Sequence, residues 1–173
     1  MFNIKDTTQR LIFDPIRKTL NPIVVPPMEP TGYKSKGNYP EKMVSSIRDS
    51  IRYMESRGEK NPYSFYQHSG IDELGDALGA YQITEAKLNE LSQKFLGRKV
   101  NRDEFLKDPS LQDRYVESQI KYLLDNNFKV NSLFTAHRGG WSDMSRQATI
   151  KRNSKYKQYM DEATKKYKEL ILE

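Results

Sequence analysis

The sequence predicts a mainly helical domain preceded by an extended, proline-rich arm. Three observations predict it. From Glu41 onward, apolar residues recur three and four apart, the period of an amphipathic helix. Helix start and stop signals punctuate that region at short intervals. Six of the eight prolines, Pro15, Pro22, Pro26, Pro27, Pro30 and Pro40, fall in the first 40 residues, and each fixes φ and removes a backbone donor. The boundaries are therefore residues 1–40 for the arm and 41–173 for the domain.

Within the arm, Ile12-Phe13 and Ile23-Val24-Val25 are apolar enough to grip a surface. The arm reads either as a docking segment or as a disordered leader. The first helix covers 41–57, with Val44, Ile47 and Ile51 on one face and Gly58 at its end. A loop from Glu59 to Ala80 carries Pro62, Gly70, Gly75 and Gly79 among several aromatics. Thr84 then caps a helix through Leu88, Leu91 and Phe95, which Gly97 stops. Asn101-Arg102-Asp103-Glu104 reads as a capping box opening a short helix. Asp108-Pro109 starts a longer one, with an acid at the cap and proline at the first position. That helix runs to about Asn126 with Leu111, Tyr115, Ile120, Leu123 and Leu124 turned inward. A short helix from about Asn131 carries Leu133, Phe134 and His137. The last runs from about Tyr156 toward Leu172.

The length of 173 residues suits one domain with a real core. Cysteine is absent and His68 and His137 are the only histidines, which argues against a disulfide framework, a thiolate nucleophile or a His-based metal cluster. No metal or cofactor is implied. No apolar run is long enough for a transmembrane segment, and the first residues lack the apolar core of a secretory signal peptide. The net charge of +6 favours anionic partners. Its densest stretch, Arg146 to Lys168, is interrupted by Asp161 and Glu162 and reads as a solvated helix face, so no nucleic acid is expected.

Glu55 is the leading candidate for chemistry. It continues the Val44, Ile47, Ile51 series, so a carboxylate stands on an apolar stripe at a helix end. Burial and the negative end of the helix dipole both disfavour its charged form, and a carboxyl protonated near neutral pH can act as a general acid. The other reading is an exposed residue in a fraying last turn. Three segments follow it. Asn61-Pro62-Tyr63-Ser64-Phe65-Tyr66 supplies aromatics, among them Tyr66, that would either stack on the apolar face of a sugar or cover the core. Ala77-Leu78-Gly79-Ala80-Tyr81-Gln82-Ile83 offers a glycine for close approach and an amide that both donates and accepts. Ala136-His137-Arg138-Gly139-Gly140-Trp141 ends an apolar helix in a double-glycine turn.

Together these segments resemble the soluble lytic transglycosylases, lysozyme-like (goose-type) peptidoglycan-cleaving enzymes, and most closely those carried by phage virions. The family's Glu-Ser pair at a helix end appears as Glu55-Ser56, and its Gly-x-x-Gln segment as Gly79-Ala80-Tyr81-Gln82. Its Ala-Tyr-Asn-Ala-Gly segment is altered to Ala136-His137-Arg138-Gly139-Gly140. A tyrosine near the start of the last helix corresponds to Tyr156. The resemblance covers about residues 41–160, and the first 40 have no counterpart in it.

The resemblance implies Glu55 as sole acid/base. It would protonate the oxygen between N-acetylmuramic acid and N-acetylglucosamine, then deprotonate the muramyl 6-hydroxyl, which closes a 1,6-anhydro ring. Ser56, Tyr66, Gln82, Tyr156 and the backbone at Ala80 and Tyr81 would bind the glycan. His137 would either line the sugar cleft or be a partly buried, hydrogen-bonded histidine. The partners implied are peptidoglycan strands and, through residues 1–40, virion structural proteins. The place implied is a virion component acting at the host cell wall and periplasm. If Asp72, Glu73 or Asp76 faced Glu55, a two-carboxylate hydrolysis like that of lysozyme would be the outcome. Two other classes stay open: a virion structural protein with a decayed fold of this type, and a basic nucleic-acid-binding protein, which ranks last.

Overall fold

The computed structural model describes residues 32–139 and 154–173. Helix α1 spans Glu41–Ser56, α2 Glu85–Leu96, α3 Arg102–Lys107, α4 Pro109–Asp125 and α5 Val130–Gly139, and a C-terminal helix spans Ser154–Leu172. The chain is thus mainly helical, as its periodicity requires. Among the described residues no helix is long and apolar enough to cross a membrane.

The predicted caps form at the predicted places. Thr84 Oγ1 accepts from Lys87 N–H, Asn101 Oδ1 from Glu104 N–H at 2.9 Å, and Asp108 Oδ1 from Leu111 N–H at 3.0 Å. Each satisfies a donor that the first helical turn leaves unpaired. Gly97 closes α2 in the left-handed region, φ 75°. Helix α1 ends one residue sooner than its pattern suggests: Arg57 is already extended and Gly58 takes φ 92°.

The stretch 59–84 is more ordered than a loop. It holds a three-stranded antiparallel sheet of β1 (Tyr66–His68), β2 (Asp76–Leu78) and β3 (Ile83–Thr84). Tyr66 pairs with Leu78 and Leu78 with Ile83. Strands of two or three residues are too short to show alternation, so the sequence carries no signal for them.

One core joins the helices. Ile47 and Ile51 of α1, Leu88 and Phe95 of α2, Leu111, Tyr115 and Ile120 of α4, and Leu133 and Phe134 of α5 are buried. Each such side chain contributes about 1.5–3 kcal/mol by leaving water. Leu124 is only partly buried, packed against the edge of that core. Helices α1 and α4 run antiparallel: Tyr39, just before α1, bonds Asp125 at the end of α4, while Arg48 pairs with Glu117 at 2.5 Å. The C-terminal helix packs on α1 and α5.

The segment just before α1 is tied down by one carboxylate. Asp125 accepts from Tyr33 Oη at 2.7 Å, Ser35 Oγ at 3.1 Å, Lys36 N–H at 2.8 Å, Gly37 N–H at 3.0 Å and Tyr39 Oη at 2.8 Å. Of the arm, residues 1–31 lie outside the described residues, as do Gly140 and Trp141 of the third segment.

Candidate active site

Glu55 is where the helical pattern puts it, in the last turn of α1, and it is neither fully buried nor free. Part of its surface reaches solvent, while protein crowds the rest. Its hydrogen-bond donor is the Tyr159 hydroxyl of the C-terminal helix, 2.7 Å from Oε1. Tyr159 is 3% exposed, and the Arg138 guanidinium lies 4.9 Å from the centre of its ring. Burial pushes the Glu55 carboxyl above the usual glutamate value. The Tyr159 hydrogen bond and the charges of Arg138 and Lys87 pull it back without cancelling that push. Burial, reinforced by Glu55, holds the Tyr159 phenol protonated. The protonated group can therefore give up its proton and keep a donor on the resulting carboxylate.

The tyrosine that meets Glu55 is thus Tyr159, not Tyr156. Both stand in the first turns of the same helix, and only the packing against α1 selects the one three residues on. Tyr156 is half-exposed.

The Gly79–Gln82 segment forms a tight turn between β2 and β3. Gly79 adopts φ 67°, and a Cβ there would collide with the Gln112 side chain. Its N–H donates to Phe65 O at 2.7 Å. Gln112, fully buried in α4, ties the turn from beneath: Oε1 accepts from Ala80 N–H at 3.0 Å, and Nε2 donates to Tyr63 O at 2.7 Å and Phe105 O at 2.8 Å. Tyr81 is also fully buried, and its hydroxyl donates to Asp113 at 2.5 Å. The backbone N–H of Ala80 and the carbonyl of Tyr81 are therefore engaged by the protein rather than open to a ligand.

Gln82 differs from its neighbours. It occupies the left-handed region at φ 50°, uncommon for a residue with a side chain. Its Nε2 donates to Gly79 O at 2.9 Å. Its Oε1 is buried without a hydrogen-bond partner among the described residues. A strained backbone and an orphaned acceptor in one residue mark a position shaped for something other than stability.

His137 takes the buried role. It is 4% exposed, and burial pushes its imidazole down to about 3, so the ring is neutral. Nε2 lies 2.9 Å from Tyr81 O and Nδ1 lies 3.1 Å from the Gln119 side-chain amide. A neutral ring has one N–H. It donates from Nε2 to the Tyr81 carbonyl, which leaves Nδ1 an acceptor facing Gln119 Oε1; exchanging the O and N of that amide makes Gln119 the donor to Nδ1. His137 thereby fastens α5 to the turn that carries Gln82, and is not an open wall of a cleft.

Two predicted residues stand apart. Ser56 is buried, its hydroxyl donating back to Arg52 O at 3.0 Å. It borders a groove of about 350 Å³ shared with Tyr53, Arg57 and Lys166, and Glu55 is not among the lining residues. Tyr66 is exposed on β1 with the Arg102 guanidinium 4.3 Å from its ring centre. Arg102 also holds Asp76, at 2.9 Å, and Glu85, at 3.3 Å. Asp72 pairs with His68 at 3.4 Å, and Glu73 is exposed. The three loop acids thus turn to His68, Arg102 and solvent, and the group bonded to Glu55 is Tyr159.

Three site residues escaped the sequence reading. Tyr159 was hidden by the nearer Tyr156. Lys87 sits beside the apolar stripe of α2, where a lysine is ordinary. Gln112 faces inward on α4, and only its three hydrogen bonds reveal why a polar residue is there. The chain matches no protein-family model, and comparison with curated proteins and with solved structures returns no match.

Proposed function

We propose that the protein is a peptidoglycan lytic transglycosylase of lysozyme-like type, used by a phage at the host cell wall. The observation that carries this reading is Glu55: a helix-end carboxyl whose protonated form burial favours, with one phenol donor and no carboxylate partner among the described residues. Glu55 protonates the glycosidic oxygen of a muramyl–glucosaminyl bond. Tyr159, Arg138 and Lys87 then steady the carboxylate. That carboxylate takes the proton of the muramyl 6-hydroxyl as it closes on C1, so the sugar supplies the nucleophile that hydrolysis would draw from water. The positive net charge suits an anionic wall.

Hydrolysis by the same acid is the second reading. It would need a base across the bond, and the pairing of Asp76 with Arg102 weighs against it. Mass spectrometry of purified peptidoglycan after incubation with the protein separates the outcomes. The expected products are 1,6-anhydromuropeptides. Reducing-end muropeptides would select hydrolysis, and an intact polymer would remove both readings in favour of a structural role.

A further inference from the structure

We propose that Lys87 is a positioning residue of this site: its ammonium, held on the His137 carbonyl, is the fixed counter-charge that lets Glu55 alternate between acid and base. The inference deepens the reading of Glu55 as the acid/base and rests on it.

Lys87 follows the Gln82 turn by five residues, in the first turn of α2. Its backbone is held on both sides: the N–H donates to the Thr84 cap, and the carbonyl accepts from Tyr115 Oη at 3.3 Å. From that anchored position Nζ donates to His137 O at 3.0 Å. That carbonyl lies in the last turn of α5, where the helix leaves carbonyls unpaired and carries partial negative charge. The next residue is Arg138, which stacks on Tyr159, which bonds Glu55. One chain of contacts therefore links four elements: α2 through Lys87 on the His137 carbonyl, α5 through Arg138 on the Tyr159 ring, the C-terminal helix through Tyr159 on Glu55, and α1 through Glu55 itself. Lys87 and Glu55 each act on the other's charge, and burial works against the charge of both.

A lysine is a costly way to cap a helix from inside the protein, since its ammonium loses water in the process. The cost makes sense if the charge is used. Glu55 begins the proposed reaction protonated and must then carry a negative charge in a poorly solvated place. A cation on a rigid mount lowers the energy of that charged form with no reorganisation at the moment of proton transfer. Arg138 is the more exposed of the two cations and is partly spent on the Tyr159 ring. Lys87 is the one whose position the fold fixes from both sides.

The test is the titration of Glu55 itself, followed by carboxyl-carbon NMR in the whole chain, alongside the pH profile of wall cleavage. In Lys87→Met the Glu55 midpoint moves to higher pH. The optimum of cleavage moves with it, and kcat falls about tenfold with KM unchanged. Lys87→Arg retains the wild-type midpoint. A midpoint unmoved in Lys87→Met overturns the proposal and leaves Lys87 a cap of α5. If Lys87→Met does not fold, the same coupling is read from the other end, because it is reciprocal. In Glu55→Gln the Lys87 Nζ titrates at lower pH than in the wild type, and an unchanged value overturns the proposal. Both titrations are read without substrate, so a wild type that leaves peptidoglycan intact would remove the proposed function and still let Lys87 be judged.

Discussion

Glu55 and Asp125 are both acids in the last turn of a helix, and they have opposite fates. Each faces the negative end of its own helix dipole, which disfavours a carboxylate. Asp125 overcomes this with five donors from the segment before α1. Desolvation opposes its charge, but the bonds from Tyr33, Lys36, Tyr39 and Gly37 outweigh it and hold the carboxyl well below the usual range. Among the described residues Glu55 has one donor, Tyr159, and desolvation wins. The number of donors therefore decides between a permanently charged latch and a group that exchanges a proton. Both are carboxylic acids in the last turn of their helix.

The largest effect that sharpens this contrast is in chemistry. Glu55→Gln should lower peptidoglycan cleavage by about 10²–10⁴-fold, measured as anhydromuropeptide release, while Asp125→Asn should leave the rate within about twofold. Next comes the scaffold between the two sites. Gln112→Leu leaves Ala80 N–H, Tyr63 O and Phe105 O without their buried partner. It should cost about 2–4 kcal/mol in urea unfolding. Giving Glu55 even fewer donors comes third. Tyr159→Phe should raise the Glu55 midpoint further and lower kcat about tenfold, read in the pH–rate profile. The smallest effect is local. Asparagine at 125 keeps one oxygen, so the donors of the other, either the Tyr33–Ser35–Lys36 set or the Gly37–Tyr39 pair, lose their acceptor. Faster hydrogen exchange at the Lys36 and Gly37 amides should report it.

Stability against pH separates the two acids again. Asp125 is depressed, so its contribution is present above the unfolded carboxylate value and is lost as pH falls through its folded one. Glu55 is raised, so its contribution is present below the unfolded value and is lost as pH rises through the folded one. Urea midpoints should therefore lose an acid-side slope in Asp125→Asn. In Glu55→Gln they should lose a slope that begins at the ordinary glutamate value and ends at the raised folded one. Above the folded value Glu55→Gln should also melt higher than the wild type.

What the sequence made legible follows from which forces act locally. Helix caps at Thr84, Asn101 and Asp108 depend on residues three positions apart, and all three formed. The apolar stripe of α1 placed Glu55 correctly, because helical period is also a local property. Contacts between distant elements left no such trace. Nothing in the vicinity of Tyr159 distinguishes it from Tyr156; the choice is made by α1, more than 100 residues away along the chain. The Gly79–Gln82 turn was visible through its glycine, but its attachment to Gln112 and His137 required the fold. The pairing of Asp125 with Tyr33 and Tyr39 was invisible for the same reason, since 92 and 86 residues separate the partners.

The antiparallel course of α1 and α4 has a mechanical consequence. Pro40 and Glu55 stand at opposite ends of α1, about 22 Å apart at 1.5 Å rise per residue. Tension applied through residues 1–31 enters the domain at the knot of Tyr33, Ser35, Lys36, Gly37 and Tyr39 on Asp125. It is borne there by the end of α4 before it reaches the proton-carrying end of the molecule. A tethered domain built this way can be hauled by one end while the other keeps its geometry.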